Sequence, residues 1–233
     1  MPAPTRPSFT LAGFLRGARY SLPLWPGIVV FGSAFGAAAV QKGLTFAETM
    51  AMSAFVYAGA SQMVALEIWP QVWTPANIVG TTAVVAVINA RMILMGAAIQ
   101  PWLKGEPKAR TALNLFFLTD ANWLIGTGYH AGGGRDVGVL FGAGVVIWVV
   151  WVLGTLPGYF AGALIPDPGR FGLDLIMPIF FAVMLSNLWK GWRPARPWVV
   201  AGIVAFVVHI LVPGYGFILA GALAGAVAGA VLE

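Results

Sequence analysis

Long stretches without a charged residue dominate the chain: Tyr20 to Gln41, Ile68 to Ala90, Val137 to Pro166 and Pro197 to Leu232. Each is long enough to cross a bilayer, for which a helix needs about 20 apolar residues. Ahead of them, Phe9, Leu11, Phe14 and Leu15 alternate with Arg16 and Arg19, which predicts a short amphipathic helix at the interface. Pro23 and Pro26 end that helix and open the first span, Leu24 to Val40. Thr45 with Glu48 three residues on reads as a capping box and starts a second run that reaches Trp69. The third run is Ala76 to Gln100 and the fourth Thr111 to Tyr129. The fifth, Val137 to Ile165, should kink at Pro157. Pro166 to Arg170 reads as a rigid turn. Asp174 in Gly172-Leu173-Asp174 is the N-cap of a sixth run, which carries Pro178 and ends near Ser186-Asn187. Pro213-Gly214 splits the last stretch in two. The expectation is an all-α polytopic membrane protein with about six to eight transmembrane helices. A loose tail, residues 1–8, precedes a single membrane domain, residues 9–233.

Composition agrees: 59% of residues are hydrophobic, 9% are charged, and the mean hydropathy is +0.85. A soluble domain carries about 25% charged residues. The net charge of +5 is no nucleic-acid signature, because its residues sit in short connections. Arg6, Arg16 and Arg19 come before the first span and place the N-terminus inside; Lys104, Lys108 and Arg110 form a second cluster, and Lys190, Arg193 and Arg196 a third. If all three share one side, an even number of spans separates each pair, yet three apolar runs lie in each interval. Either one run per interval doubles back, or one loop breaks the charge rule. The runs holding Gly59–Gln62 and Asp120 are the candidates for discontinuous or re-entrant segments. Glycine recurs every fourth residue at Gly154, Gly158 and Gly162 and at Gly221, Gly225 and Gly229, two faces able to seat a further helix. Gly43-Leu44-Thr45 before Ser61-Gln62 is weakly echoed by Gly172-Leu173-Asp174 before Ser186-Asn187.

Polar groups at depth are the candidate chemistry, because an unpaired amide or hydroxyl in lipid costs several kcal/mol. Tyr57, Gly59, Ser61 and Gln62 cluster where no charge lies between Glu48 and Glu67. On an unbroken helix Ser53, Tyr57 and Ser61 share one face, and Gly59 is the residue that lets a backbone approach or the helix open. The alternative is small-residue packing with hydroxyl cross-links. Asn89 and Arg91 follow in the third run, with Asn89, Gly96 and Gln100 on one face, and Asp120 and Asn122 in the fourth. Arg91 and Asp120 can bind the two ends of a zwitterion or carry a coupling proton; equally they can pair with each other as structure. His130 and His209 lack flanking carboxylates, so neither a metal site nor a cofactor is expected. Cysteine is absent, and so are a phosphate-cradling loop and a Gly-x-Ser-x-Gly elbow. No enzymatic activity is expected.

Five stretches in order resemble the AzlC family, the large subunit of branched-chain amino acid exporters: Tyr57 to Gln62, Ile88 to Arg91, Leu118-Thr119-Asp120, Leu153 to Leu156, and Pro166-Asp167-Pro168 followed by Gly172-Leu173-Asp174. The chain departs from the family where Ala121 follows Asp120 and Met92 follows Arg91, in place of Glu and His. The resemblance implies a multi-pass protein of the bacterial inner membrane that exports valine, leucine, isoleucine or similar amino acids on an ion gradient, beside a small AzlD-type membrane subunit. The competing expectation is a scaffold whose polar residues and glycines only pack helices.

Overall fold

A computed structural model describes residues 8–164, 191–213 and 216–232, with 182, 186 and 189 singly. The turn expected at 166–170, the run opening at Asp174, Asn187 and Lys190 lie outside these residues. The described residues are helical, with no strand beyond one isolated bridge between Ser8 and Asp136. They form two units, Met1–Gln62 with Ala90–Pro166, and Met63–Asn89 with Asp167–Glu233.

The first unit is built on α8, Gly138–Leu164, which runs unbroken through Pro157. Alongside lie α1, Leu11–Ser21, a 3-10 turn at Leu22–Leu24, and α2, Trp25–Gln41. Together these make a 31-residue stretch long and apolar enough to span. A glycine seam sets α1–α2 parallel to α8. A Cβ on Gly17 would strike the carbonyl of Val139, one on Gly36 that of Thr155, and one on Gly158 that of Ser33. Backbones this close leave no room for a side chain on either partner. Gly154 meets Val29 Cα at 3.0 Å and Gly162 meets Ala37 Cα at 2.8 Å, measured from an added Cβ. The face Gly154/Gly158/Gly162 is thus filled by α2 and is not a vacant seat for a partner helix. The amphipathic helix also finds its reason here, since Gly13, Gly17 and Ser21 are buried while Arg16 and Arg19 stay outside.

One carboxylate ties the two starts together. Asp136 accepts hydrogen bonds from the Thr10 N–H at 3.2 Å, the Thr10 hydroxyl, and the Gly138 N–H at 2.9 Å. The same end is the basic end. Arg110 lies over the Phe9 ring at 4.3 Å, Arg16 over Tyr129 at 5.9 Å, and His130 stacks on Trp102 at 4.8 Å. The N-terminal cluster and the 104–110 cluster therefore meet on one side.

Two further runs contribute to this unit. One is α3, Phe46–Ala51, a π-type turn at Met52–Val56, and α4, Gly59–Glu67, of which the part up to Gln62 belongs here. The capping box expected at Thr45 and Glu48 is present. The other is α6, Lys108–Phe116, and α7, Asp120–Ala131. They are joined by α5, Pro75–Leu103, whose second half belongs to this unit.

In the second unit α9, Trp192–Leu211, packs on α10, Gly216–Leu232. An added Cβ on Gly221 would lie 2.8 Å from Ala205 Cβ, and one on Gly225 2.8 Å from Ala201 Cβ. This second glycine face is likewise taken within the chain, by α9. His209 packs edge-on against Phe217 at 4.9 Å. Trp69 and Trp73 meet edge to face at 4.9 Å.

Among the described residues four helices have the length and apolarity to cross a membrane: Leu11–Gln41, Pro75–Leu103, Gly138–Leu164 and Trp192–Leu211. The count falls below the number of apolar runs because the second and fourth are broken into halves too short to span. The last helix, at 17 residues, is also short, and the sixth run lies outside the described residues.

Candidate functional site at two helix breaks

The second run stops being a helix at Tyr57, whose φ of 44° and ψ of 43° are left-handed. For a residue with a Cβ this costs about 1–2 kcal/mol. The break was expected to rest on Gly59; it rests on Tyr57. Gly59 instead opens α4, where an added Cβ would meet Phe31 at 2.8 Å and Trp151 at 3.0 Å.

Beyond the break the chain turns back on itself. The Gln62 amide donates to the Met52 carbonyl at 2.9 Å, and its oxygen accepts from the Ala58 N–H at 3.1 Å. In a straight helix residues 52 and 62 would stand about 15 Å apart, beyond a glutamine's reach. Levels along α8 agree. Phe46 sits by Tyr159, Ser53 bonds Thr155 at 2.8 Å, Tyr57 reaches the Gly144 carbonyl at 3.4 Å, and Gly59 has returned to Trp151. Ser61 donates to Ala58 O at 2.9 Å. Tyr57, Ser61 and Gln62 are all buried and bonded within the protein. The shared face expected for Ser53, Tyr57 and Ser61 does not exist, because the helix on which it depended is interrupted.

The fourth run breaks at Phe117–Thr119 and also doubles back. It leaves the basic end with Arg110 beside Phe9 and returns there with His130 beside Trp102. Asn122 repeats the part played by Gln62. Its oxygen accepts from the Thr119 N–H at 2.6 Å and the Thr119 hydroxyl at 3.1 Å, and its amide donates to Leu140 O at 3.4 Å. It is fully buried.

The two hairpins enter from opposite ends of α8 and their tips meet. The Thr119 side chain lies beside the Tyr57 hydroxyl. Gly144 seats both: Tyr57 donates to its carbonyl, and a Cβ there would lie 2.7 Å from Asn122 Nδ2 and 2.9 Å from Phe117 Cβ.

Beside the second tip stands a charge pair that joins two helices. Arg91 Nη2 lies 3.0 Å from the Asp120 carboxylate. Arg91 is near the middle of α5, about 18 Å from its nearer end by helical rise. Pro101 lies inside α5, not at its end, so Arg91 is deeper than the sequence suggests. The Arg91 side chain is 31% exposed and that of Asp120 58%. Arg91 Nε is buried with no hydrogen-bond partner. Asp120 opens α7, where a helix N-terminus favours a carboxylate. This pair combines a fork donor, an acid and unused bonding capacity.

Of the eight residues singled out from sequence, Tyr57, Gly59, Ser61, Gln62, Arg91, Asp120 and Asn122 gather at these tips. Asn89 belongs to the second unit, and its buried Oδ1 has no partner. Gly96 and Gln100 line a small cleft of about 170 Å³ with Lys104 and Thr111. Sequence reasoning missed Gly144, since nothing in an apolar helix distinguishes it from its neighbouring glycines. Asp136, just ahead of a long apolar run, is a helix-start signal that the sequence reading did not use.

The profile of a family described as AzlC protein matches residues 23–165. The inner membrane protein YgaZ of Escherichia coli K12 is 29% identical over 70% of this chain and 67% of its own length. A protein of Bacillus subtilis 168 named branched-chain amino acid transport protein AzlC is 25% identical over 76% of this chain and 68% of its own length. An uncharacterized membrane protein of Archaeoglobus fulgidus is 29% identical over 86% of both chains. No solved structure matches.

Proposed function

The chain belongs to the AzlC protein family, and from that membership we propose that it is the large subunit of a secondary transporter exporting branched-chain or similar neutral amino acids across the bacterial inner membrane. The name of the Bacillus subtilis relative supports amino acid transport. Outward direction, an ion gradient as energy source and a small AzlD-type membrane partner are our reading. The glycine faces lend the partner no support, since both are filled within the chain, and it rests on the family likeness.

The observation that carries the reading is the Arg91–Asp120 pair beside the second tip. A carboxylate more than half exposed, paired with a guanidinium near the middle of α5, cannot face hydrocarbon cheaply. It asks for water, a partner or a substrate. A neutral amino acid offers one carboxylate and one ammonium, and the pair offers a complement to each. Guanidinium presents a planar fork that fits a carboxylate, and its unbonded Nε–H adds a donor. Substrate entering between the two would exchange one ion pair for two, so little charge is stranded at any stage.

A second reading, a scaffold subunit, is favoured by the same 3.0 Å distance, because the two groups already satisfy each other. Efflux from dipeptide-loaded cells, measured with membrane abundance, separates the two. The transport reading expects Arg91→Lys to keep abundance and lose efflux. The scaffold reading expects abundance to fall in Arg91→Leu and Asp120→Leu alone and to return when both are combined. Normal abundance with normal efflux in Arg91→Lys removes the site assignment.

A further inference from the structure

We propose that the two hairpins are opposed gates, one for each side of the membrane, and that the Tyr57–Thr119 contact over Gly144 is where they close on each other. The proposal rests on the transport reading and adds to it the moving parts.

Four observations carry it. First, each hairpin follows a long helix: α3–α4 follows α2, and α6–α7 follows α5. Second, they point in opposite directions along α8. The first enters where α2 ends, with Leu44 O accepting from Tyr159 and Phe46 against Phe160; the second enters at the basic end, with Arg110 on Phe9. Third, each tip is stitched by one buried amide, Gln62 onto Ala58 and Met52, Asn122 onto Thr119 and Leu140. The first break is thus satisfied within its own hairpin, and the second is held besides by the long 3.4 Å bond to Leu140 of α8, which must part when that hairpin moves. Fourth, the hold between the tips is weak: Tyr57 sets its hydroxyl beside Thr119, and its one hydrogen bond, to the Gly144 carbonyl, is long at 3.4 Å.

Oppositely directed repeats that each contribute a discontinuous helix are the arrangement by which transporters expose one site alternately to two sides. Here the site would be the Arg91–Asp120 pair, which sits beside the second tip. Gln62 and Asn122 then hold the gates rigid and do not touch substrate. Tyr57 carries the left-handed backbone and the closing hydroxyl at one residue, so the strain of the tip and the closure of the gate are linked.

The chain has no cysteine, so single introduced thiols report without background. Ala58→Cys and Leu118→Cys place one thiol at each tip, both at buried positions. They are labelled with a membrane-impermeant maleimide in right-side-out and in inside-out vesicles holding the full chain. The expected result is that Ala58→Cys reacts from one face only and Leu118→Cys from the other. Tyr57→Ala in each background should raise the labelling rate at least about a hundredfold, as expected for removing a buried aromatic. Tyr57→Phe and Thr119→Val keep the packing and remove one hydroxyl each, for a rise of about fivefold. These two variants decide the matter if the alanine variant does not accumulate. Labelling of both thiols from the same face, or rates unmoved by the hydroxyl deletions, overturns the proposal. Because labelling needs no amino acid substrate, failed efflux with correctly sided labelling counts against the substrate assignment and leaves the gates standing.

Discussion

The two helix breaks use the same device and leave different amounts of polarity unspent. At the first tip a buried glutamine bridges Met52 and Ala58, Ser61 bonds within its own turn, and no charged residue lies between Glu48 and Glu67. At the second tip a buried asparagine caps Thr119, but the next residue is Asp120, 58% exposed and paired with Arg91 across to α5. A polar residue at membrane depth must be satisfied, and an internal bond satisfies it as well as a ligand does. Depth alone therefore does not separate scaffold from site. What separates them is whether bonding capacity remains after the protein's own groups are served. By that measure the first tip is spent on structure, and the second keeps the capacity that the proposed site needs.

The largest test of this contrast is functional. Asp120→Asn keeps size and hydrogen bonding while removing the charge. Its efflux should fall at least about tenfold, the consequence of losing a charged-group hydrogen bond worth about 1.5–3 kcal/mol. Gln62→Glu introduces a charge at the first tip, where it lies fully buried with no cation among the bonded groups. It should reduce membrane abundance. If Asp120→Asn exports normally while Gln62→Glu accumulates normally and stops export, the roles given to the two tips are reversed.

Next in size is a stability comparison. Gln62→Leu leaves a buried N–H at Ala58 and the Met52 carbonyl without their partner, at about 1–3 kcal/mol for each group. Asn122→Leu strands the Thr119 N–H, but Thr119 is only half-buried, so water can replace part of the loss. Thermal unfolding in detergent should therefore show Gln62→Leu melting below Asn122→Leu, and both below the parent chain. Equal midpoints in all three would mean that the amides do not hold the tips.

These contrasts also mark how far the sequence could be read. A break in the second and fourth runs was legible as one of two options, the other being a loop that departs from the charge rule. For the first interval the structure shows a run that doubles back, turning at Tyr57. The identity of the turning residue was not legible, since left-handed backbone normally selects glycine and Gly59 was close by. Tertiary packing overrode that preference: Phe31 and Trp151 demand a small residue at Gly59, and Tyr57 is held by its hydroxyl at Gly144, beside Thr119. The glycine periods announced close helix contacts correctly but not with whom, because a small face is indifferent to whether its neighbour belongs to the same chain. The Arg91–Asp120 pairing was legible only as one of two options, since 28 residues of sequence separate the two and no spacing rule spans them.

The smallest expected effect bears most directly on the first tip. Ser61 stands in the polar patch that first drew attention to this run, and a substrate role would make it sensitive to substitution. In the structure its hydroxyl donates to the carbonyl of Ala58 at 2.9 Å, which already accepts from the Gln62 N–H at the same length. Removing the hydroxyl strands no other group, because the carbonyl keeps its backbone partner. The cavity left by one oxygen is small, and hydrogen bonds within membrane helices are worth about 0.6 kcal/mol on average. Ser61→Ala should thus melt within about 0.6 kcal/mol of the parent and export at the parent's rate, measured across a range of internal substrate concentrations. A raised half-saturation concentration with unchanged abundance would show that the hydroxyl meets substrate after all. The first tip would then be part of the site, and unspent bonding capacity would no longer distinguish the two breaks.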